Sequence, residues 1–549
     1  MFRLCPLALV IALAAGSGLA AQVTQEQLLG ARANPGNWLT YHGAYDGWRH
    51  SRLAEITPAN VARLEMKWVL QAQAAGPWEA TPIVVEGVMY VTQRPNDVVA
   101  LDAKTGRIFW TYRHTGPTDV RVCCGAENRG LAVRGHTLFQ GTLDGRLVAL
   151  DARNGRPIWT AAVADFSLGY SITLAPLVVK DKVIVGVGGG EWGIRGFVAA
   201  YDALTGKEAW RFYTVPAPGE RGSETWSGDA WKTGGGSVWL TGTYDPALNL
   251  TYWGTGNPGP DYNPVQRPGD NLYTDSVVAL DADTGALRWH FQFTPNDAYD
   301  YDAAQVPVLV DLNWRGTPTK AMLFANRNGY LYVLDRVTGR FLSGTPFVKV
   351  TWASGLDDNG RPVQTPPPPG TPVFPHQQGA TNWYSPSYSP NTGLFYVSIW
   401  EEVAGTFRPQ AQAYVPGQPF RGGNMGGVPT VPDAATPPSL NRGPINTWTD
   451  ATGHGSVVAF DPATGQRKWT FPMYDLTDAG VLTTASDVLF TGGRDGYFYA
   501  LDARSGAELW KTSFGSVSLR SSPMTYEADG KQFVAVIGGH VLAAYGLRE

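Results

Sequence analysis

Seven copies of one phrase run along this chain and limit what it can fold into: ALDAKTGRIFW (100–110), ALDARNGRPIW (149–159), AYDALTGKEAW (200–210), ALDADTGALRW (279–289), VLDRVTGRFLS (333–343), AFDPATGQRKW (459–469) and ALDARSGAELW (500–510). Each reads apolar-Asp-x-x-x-Gly, and in six of the seven a Trp follows the Asp by eight residues. An Asp that caps turn amides and a Gly with positive φ make a tight turn. Alternating or apolar strands such as TLFQGTLDGRLVAL precede the turn, and the Trp opens the next strand with a large face to bury between units. Repeats of roughly forty to fifty residues made of short strands predict an all-β chain folded as a β-propeller. Length alone (549 residues) would suggest several domains, but 65 Gly, 40 Pro and 20 Trp fit many turns and aromatic packing better than helices.

The interval between Asp335 and Asp461 is too long for one unit. It contains a degenerate copy, NWYSPSYSPNTGLFYVSIW (382–400), in which Asn391-Thr392-Gly393 keeps the turn. Counting it gives an eight-bladed propeller with tryptophan-docking repeats. LEMKWVLQ (64–71) has Trp68 with no turn ahead of it, and the C-terminal VAVIGGHVLAAYGLRE stops before a Trp strand. The N-terminal strand is therefore expected to complete the last blade and close the ring, which removes open sheet edges. Two Pro/Gly-rich insertions, 363–379 and 416–444, are expected to cap one face or to run over the surface as mobile loops.

Residues 1–21 read as a secretory signal peptide: Arg3, an apolar run from about Leu4 to Ala15, then small residues before Gln22. The mature domain, 22–549, is expected to be exported and to have no membrane span. Cys5 leaves with the signal, so the mature chain keeps only Cys123 and Cys124, in a compartment that permits disulfides. Adjacent cysteines lack zinc-ligand spacing, and the chain has no C-x-x-C-H for covalent haem. A net charge of −4 and a pI near 6.1 give no basic footprint for nucleic acid.

Several polar residues fit neither strand nor turn: Glu79 in PWEATP, Arg129 in ENRG, Glu191 in GGGEWG, Asn257 in GTGNPG, and Asp300 with Asp302 in AYDYDAAQ. They come from different repeats, which a radial fold would bring together at one axis. Glu191, Asn257, Asp300 and Asp302 all offer oxygen, the donor set of a hard cation such as Ca²⁺.

With these motifs (CC followed by NRG, GGGEWGIRG, DAWKTGGGSVW, GTGNPGP and PNDAYDYD) the mature chain resembles the pyrroloquinoline quinone (PQQ)-dependent methanol/ethanol dehydrogenases of the bacterial periplasm. The resemblance implies that Cys123 and Cys124 form a vicinal disulfide against one face of the quinone, with Trp239 on the other. It places Glu79, Arg129, Thr173, Ser237 and Asn382 at the cofactor's carboxylates and carbonyls, Gly189 and Gly190 along its edge, and Arg327 near its reactive carbonyl. Glu191 and Asn257 match metal ligands, and Asp300 matches the catalytic base. Asp302, two residues on, resembles the lanthanide-using branch; the metal is expected to be one Ca²⁺ or lanthanide(III) ion. A vicinal disulfide closes no loop and does little for stability, so its use belongs to a site.

The expected activity is oxidation of an alcohol to an aldehyde or ketone, with electrons passing to an external acceptor such as a periplasmic cytochrome c; a homodimer is one possible assembly. The alternatives are a quinoprotein acting on sugars or polyols and a non-catalytic propeller scaffold, which would need neither Asp300, Glu191 nor paired cysteines.

Overall fold

The computed structural model describes residues 22–428 and 454–549. The expected signal peptide and the 429–444 part of the second insertion lie outside the described residues.

The described chain is all-β. Eight sheets of four or five strands follow one another along it. The first shows the plan: Ile83–Val85, Val88–Gln93, Asp97–Asp102 and Ile108–Tyr112 pair antiparallel in sequence order. The second strand is buried throughout and the third along its middle, whereas the fourth is partly exposed. This is why the inner strands read as apolar runs and only the outer one alternates.

The repeated phrase joins the third strand to the fourth. Asp102 Oδ1 accepts from the amides of Lys104 (2.9 Å) and Thr105 (3.0 Å), and Gly106 takes φ +73°. The other six turn glycines take φ between +70° and +77°. In five of the phrases the Trp then lands on the next copy of the phrase. Indole Nε1 of Trp110 donates to the carbonyl of Ala152 (3.1 Å), Trp159 to Ala203 (3.3 Å), Trp210 to Ala282 (3.2 Å), Trp289 to Arg336 (3.2 Å) and Trp469 to Ala503 (3.1 Å). Each acceptor is the residue after the next phrase's Asp. The indole covers the turn glycine, and a Cβ on Gly155 would stand 2.5 Å from Trp110 and one on Gly206 2.6 Å from Trp159. The glycine is thus required twice, for its φ and as a seat for the indole. After the phrase that has Ser343 in place of Trp, Gly465 faces Thr345 instead.

Leu64–Gln71 pairs antiparallel with Val541–Leu547, so an early strand and the last strand of the described chain share one sheet with Met524–Ala528 and Lys531–Gly538. Trp68 of that N-terminal strand donates to Ala103 (3.0 Å) in the first sheet, and Trp510 of the preceding sheet packs edge-on against Tyr545, ring centroids 5.6 Å apart.

The degenerate copy does not found a unit of its own. Ser387–Ser389 and Leu394–Glu401, on either side of Asn391-Thr392-Gly393, share a sheet with His454–Phe460 and Arg467–Pro472. Its turn joins first and second strands, and an insertion between the second and third strands stretches the interval. The eighth sheet is instead the one that pairs Leu64–Gln71 with Val541–Leu547, which carries no copy of the phrase. The insertions form small sheets: Ala353–Leu356 with Pro362–Gln364, and Pro372–Val373 with Ala404–Pro409 and Gly423–Val428. Among the described residues, no helix is long and apolar enough to cross a membrane.

Candidate active site

The candidate residues sit at one end of the sheets. Glu79, Arg129, Thr173, Trp239, Asp302 and Asn382 each lie three to six residues ahead of the first strand of a different sheet. Glu191, Asn257 and Arg327 lie two to five residues past the end of a second strand. In an antiparallel pair the start of one strand and the end of the next share an edge, so both sets project from the same side.

They meet in a cavity of about 520 Å³. Glu79, Cys123, Cys124, Arg129, Thr173, Gly189, Glu191, Ser237, Trp239, Asp300, Asp302, Arg327 and Asn382 line it. Asn257 and Gly190 stand behind the lining: the Asn257 amide donates to Asp302 Oδ1 (2.7 Å), and a Cβ on Gly190 would come 3.5 Å from Asn257 Oδ1. Gly189, with φ +115° and Gly169 O in the space a Cβ would need, admits no side chain. Gln377 and Gln378 from the first insertion, and Arg421, Asn424 and Met425 from the second, complete the wall, so the described parts of both insertions cap the cavity.

One side of the cavity concentrates carboxylates. Asp302 Oδ2 accepts from Arg327 Nη1 (2.6 Å) and Trp239 Nε1 (3.2 Å). Asp300 accepts from the Gln377 side-chain amide and lies 3.8 Å from Arg327 Nη2, whose guanidinium also donates to the Gln377 carbonyl. Asp261, which the sequence reading missed although it directly follows GTGNPGP, accepts from Asn257 Nδ2 (3.1 Å). Burial pushes Asp261 and Asp300 well above the usual carboxylate range. Their carboxylate neighbours push the same way, and Arg327 opposes the shift at Asp300. Burial also raises Glu191, with Asp302 adding to it.

The adjoining wall holds the cysteines, Arg129 and Arg520. Cys123 and Cys124 are joined by a disulfide, and their Sγ atoms lie within 4.8 Å of a Glu191 carboxylate oxygen. Bonded to each other, they are not thiolate ligands. Arg129 donates to Glu79 Oε2 (2.7 Å), and its guanidinium stands 5.1 Å from the Trp239 ring and 5.2 Å from the Trp383 ring. Arg520 lines this side too, 4.0 Å from Glu79 and 3.3 Å from Asp478. Both Arg520 and Asp478 lie four residues ahead of a first strand, the offset that would have found them in the sequence. Glu127 lies within the same short segment as the cysteines and Arg129 and was also passed over.

The residues fit a metal and a flat, carboxylate-bearing cofactor. Four carboxylates, of Glu191, Asp261, Asp300 and Asp302, converge with only partial compensation from Arg327 and Arg421, and the raised proton affinities of Glu191, Asp261 and Asp300 mark a site short of positive charge. Across the cavity, buried Arg129 Nε and both Glu127 carboxylate oxygens have no hydrogen-bond partner among the described residues. Buried polar atoms of this kind call for a ligand that brings its own.

The PQQ family described as "Glucose/ethanol/alcohol dehydrogenase, beta-propeller domain" matches residues 38–354 and 357–534. The chain is 40% identical over 546 residues to "Quinohemoprotein alcohol dehydrogenase ADH IIB" of Pseudomonas putida, covering 95% of this chain and 76% of that protein. It is 38% identical over 566 residues to "Quinoprotein alcohol dehydrogenase PedH" of Pseudomonas putida, covering 96% and 90%. A solved structure titled "Europium-containing methanol dehydrogenase" matches with TM-score 0.86 at 33% identity, covering 95% of this chain and all of that one. The fold is that of the PQQ β-propeller domain, and the chain belongs to the family of PQQ-dependent alcohol dehydrogenases.

Proposed function

We propose that this protein oxidises an alcohol to an aldehyde or ketone in the cavity, holding PQQ and one metal ion there. The observation that carries the reading is the pairing, in one cavity, of a buried carboxylate cluster with an arginine-rich wall bearing the vicinal disulfide. Bound PQQ would supply a quinone carbonyl able to accept hydride from the alcohol carbon, and the metal would polarise that carbonyl as a Lewis acid.

The chain's own residues do the rest. Asp300, buried and hydrogen-bonded to Gln377, is placed to take the alcohol O–H proton, and its raised proton affinity suits a base. Arg327 holds Asp302 and stands beside Asp300, fixing both and offering positive charge where oxygen charge develops. Glu191, Asn257, Asp300 and Asp302 would hold the metal, with Asp261 behind Asn257. Asp302 Oδ2 is engaged by Arg327, so metal ligation by Asp302 requires Arg327 to share or release that oxygen. The number of carboxylates favours a trivalent lanthanide over Ca²⁺. Arg129, Thr173, Ser237, Asn382, Trp239 and the disulfide would enclose the cofactor, with Glu79 aligning Arg129. The two capping insertions shape the alcohol's entrance.

We further read the eight sheets as blades of one closed ring: each Trp reaches the next sheet, and Trp68 reaches the first from the last. Export to the periplasm rests on the N-terminal segment, and an external cytochrome c is the assigned electron acceptor. Protein freed of cofactor, given PQQ with Ca²⁺ or with La³⁺, should reduce a dye on addition of primary or secondary alcohols. No reduction with either ion would reject the reading. Faster turnover with Ca²⁺ would reject the lanthanide assignment.

A further inference from the structure

Glu127 has no part in the roles assigned so far, and its surroundings are unusual. It lies three residues past Cys124 and two before Arg129, lines the cavity, and is only 3% exposed. Neither carboxylate oxygen has a hydrogen-bond partner among the described residues. The charged groups that face it are Glu79, Arg94, Arg129 and Arg520. Arg94 comes nearest, at 3.7 Å, and its Nε is already used by the Ala126 carbonyl (3.2 Å). Arg129 is committed to Glu79 at 2.7 Å, and Arg520 lies between Asp478 at 3.3 Å and Glu79 at 4.0 Å. The three arginines on this wall are thus shared out mainly among other partners.

An ionised carboxylate here would be buried with no donor, a costly state. Protonated, it has an O–H to donate at the cavity wall and needs only an acceptor. Burial, reinforced by the Glu79 charge, pushes Glu127 up to about 7, so near neutrality both forms are present. A ligand rich in carboxylates would supply the acceptor and, by its own negative charge, disfavour the ionised form further.

We propose that Glu127 is a ligand-binding residue of this cavity that enters the complex protonated, donating its carboxyl O–H to a carboxylate of the bound cofactor. The inference rests on the reading that PQQ occupies the cavity. Binding then draws a proton from solvent whenever Glu127 begins ionised. Well below pH 7 the group is already protonated and little is drawn; well above it, uptake approaches one proton, and cofactor affinity falls as pH rises, by at most about tenfold per pH unit.

The test is calorimetric titration of PQQ, with Ca²⁺ present, into the cofactor-free full chain, in two buffers of different ionisation enthalpy. At pH 8 the wild type should take up close to one proton more than Glu127→Gln, and at pH 5.5 the two should agree. Glu127→Gln keeps a donor without a charge, so its affinity should stay level between pH 7 and 8.5 relative to wild type. Glu127→Val, with no donor, should bind more weakly than Glu127→Gln at every pH. Should Glu127→Gln melt early, Glu127→Asn serves as the second uncharged donor variant for the same comparison with wild type. Equal uptake by wild type and Glu127→Gln at pH 8, or equal affinity of the Val and Gln variants, overturns the assignment while leaving the cofactor reading intact. No PQQ binding by the wild type overturns both.

Discussion

The aspartates of the repeated turns and those of the cavity are the same side chain in opposite electrostatic situations. In the third turn, Asp202 Oδ1 accepts from the Thr205 hydroxyl (2.7 Å), the Thr205 amide (2.7 Å) and the Leu204 amide (3.2 Å). The Thr205 side chain, then the backbone amides, hold its carboxyl below the usual range. In the cavity, Asp300 accepts from one side-chain amide and Asp261 from another, both are buried, and burial pushes both well above that range. The turn completes the carboxylate locally, while the cavity leaves it short of positive charge until something binds. Residue type does not separate a structural Asp from a functional one here; the supply of donors and water does.

The contrast can be broken by substitution, and the largest effect is expected in the cavity. Asp300→Asn should lower kcat of the PQQ- and metal-loaded protein by about 10³-fold, within the usual range for loss of a general base, with little change in melting temperature. A large fall in melting temperature with kcat intact would place Asp300 on the structural side. Trp210→Ala should do the reverse, costing about 3–5 kcal/mol in denaturant unfolding because it empties the seat over Gly285, while the protein that remains folded keeps its metal affinity. Metal added at a hundred times its Kd should raise stability by about 2.7 kcal/mol. That gain should shrink as pH falls, since the raised carboxyls of Glu191, Asp261 and Asp300 then take protons in the metal's place; a gain equal at pH 7 and pH 5 would count against the carboxylate site.

The smallest effect belongs to the turn. Asp202→Ala should cost about 1 kcal/mol or less, since the carboxylate is partly solvated, and should leave kcat unchanged. Because the folded pKa of Asp202 is depressed, its contribution is present above the unfolded carboxylate range and disappears as pH falls through the folded value. Wild type and variant should therefore converge in acid in pH-dependent unfolding, and a gap that persists there would show that the turn does not depend on the ionised side chain.

Much of the fold was legible because the Asp-x-x-x-Gly phrase and its Trp carry their reasons locally: amide caps, positive φ and a large face to bury. The same locality misplaced the turn at Asn391-Thr392-Gly393 as a unit of its own, although the total of eight agrees with the eight sheets. A tight turn looks alike whether it joins first to second or third to fourth strands, and only pairing of Leu394–Glu401 with His454–Phe460 shows which. Cavity-lining residues set in distinctive motifs, such as Glu191 and Asp300, could be picked out directly. Arg520 shows its offset only once the strand starts are known, and Asp261, although it follows GTGNPGP, carries no signal of its own until burial is known. Glu127 was missed for another reason: a Glu beside an Asn and an Arg looks solvated until burial is known.

The pairing of Leu64–Gln71 with Val541–Leu547 has a consequence for how the molecule is made. The two strands come from far apart in the described sequence, and contacts of such separation form slowly. Until they meet, Leu64–Gln71, with Met66 and Val69 among its outward residues, has backbone donors and acceptors open at a sheet edge. The pairing is therefore a clasp set late in folding. Damage at Val541–Leu547 should loosen Trp68 and, through its indole, be felt at Ala103 in the first sheet.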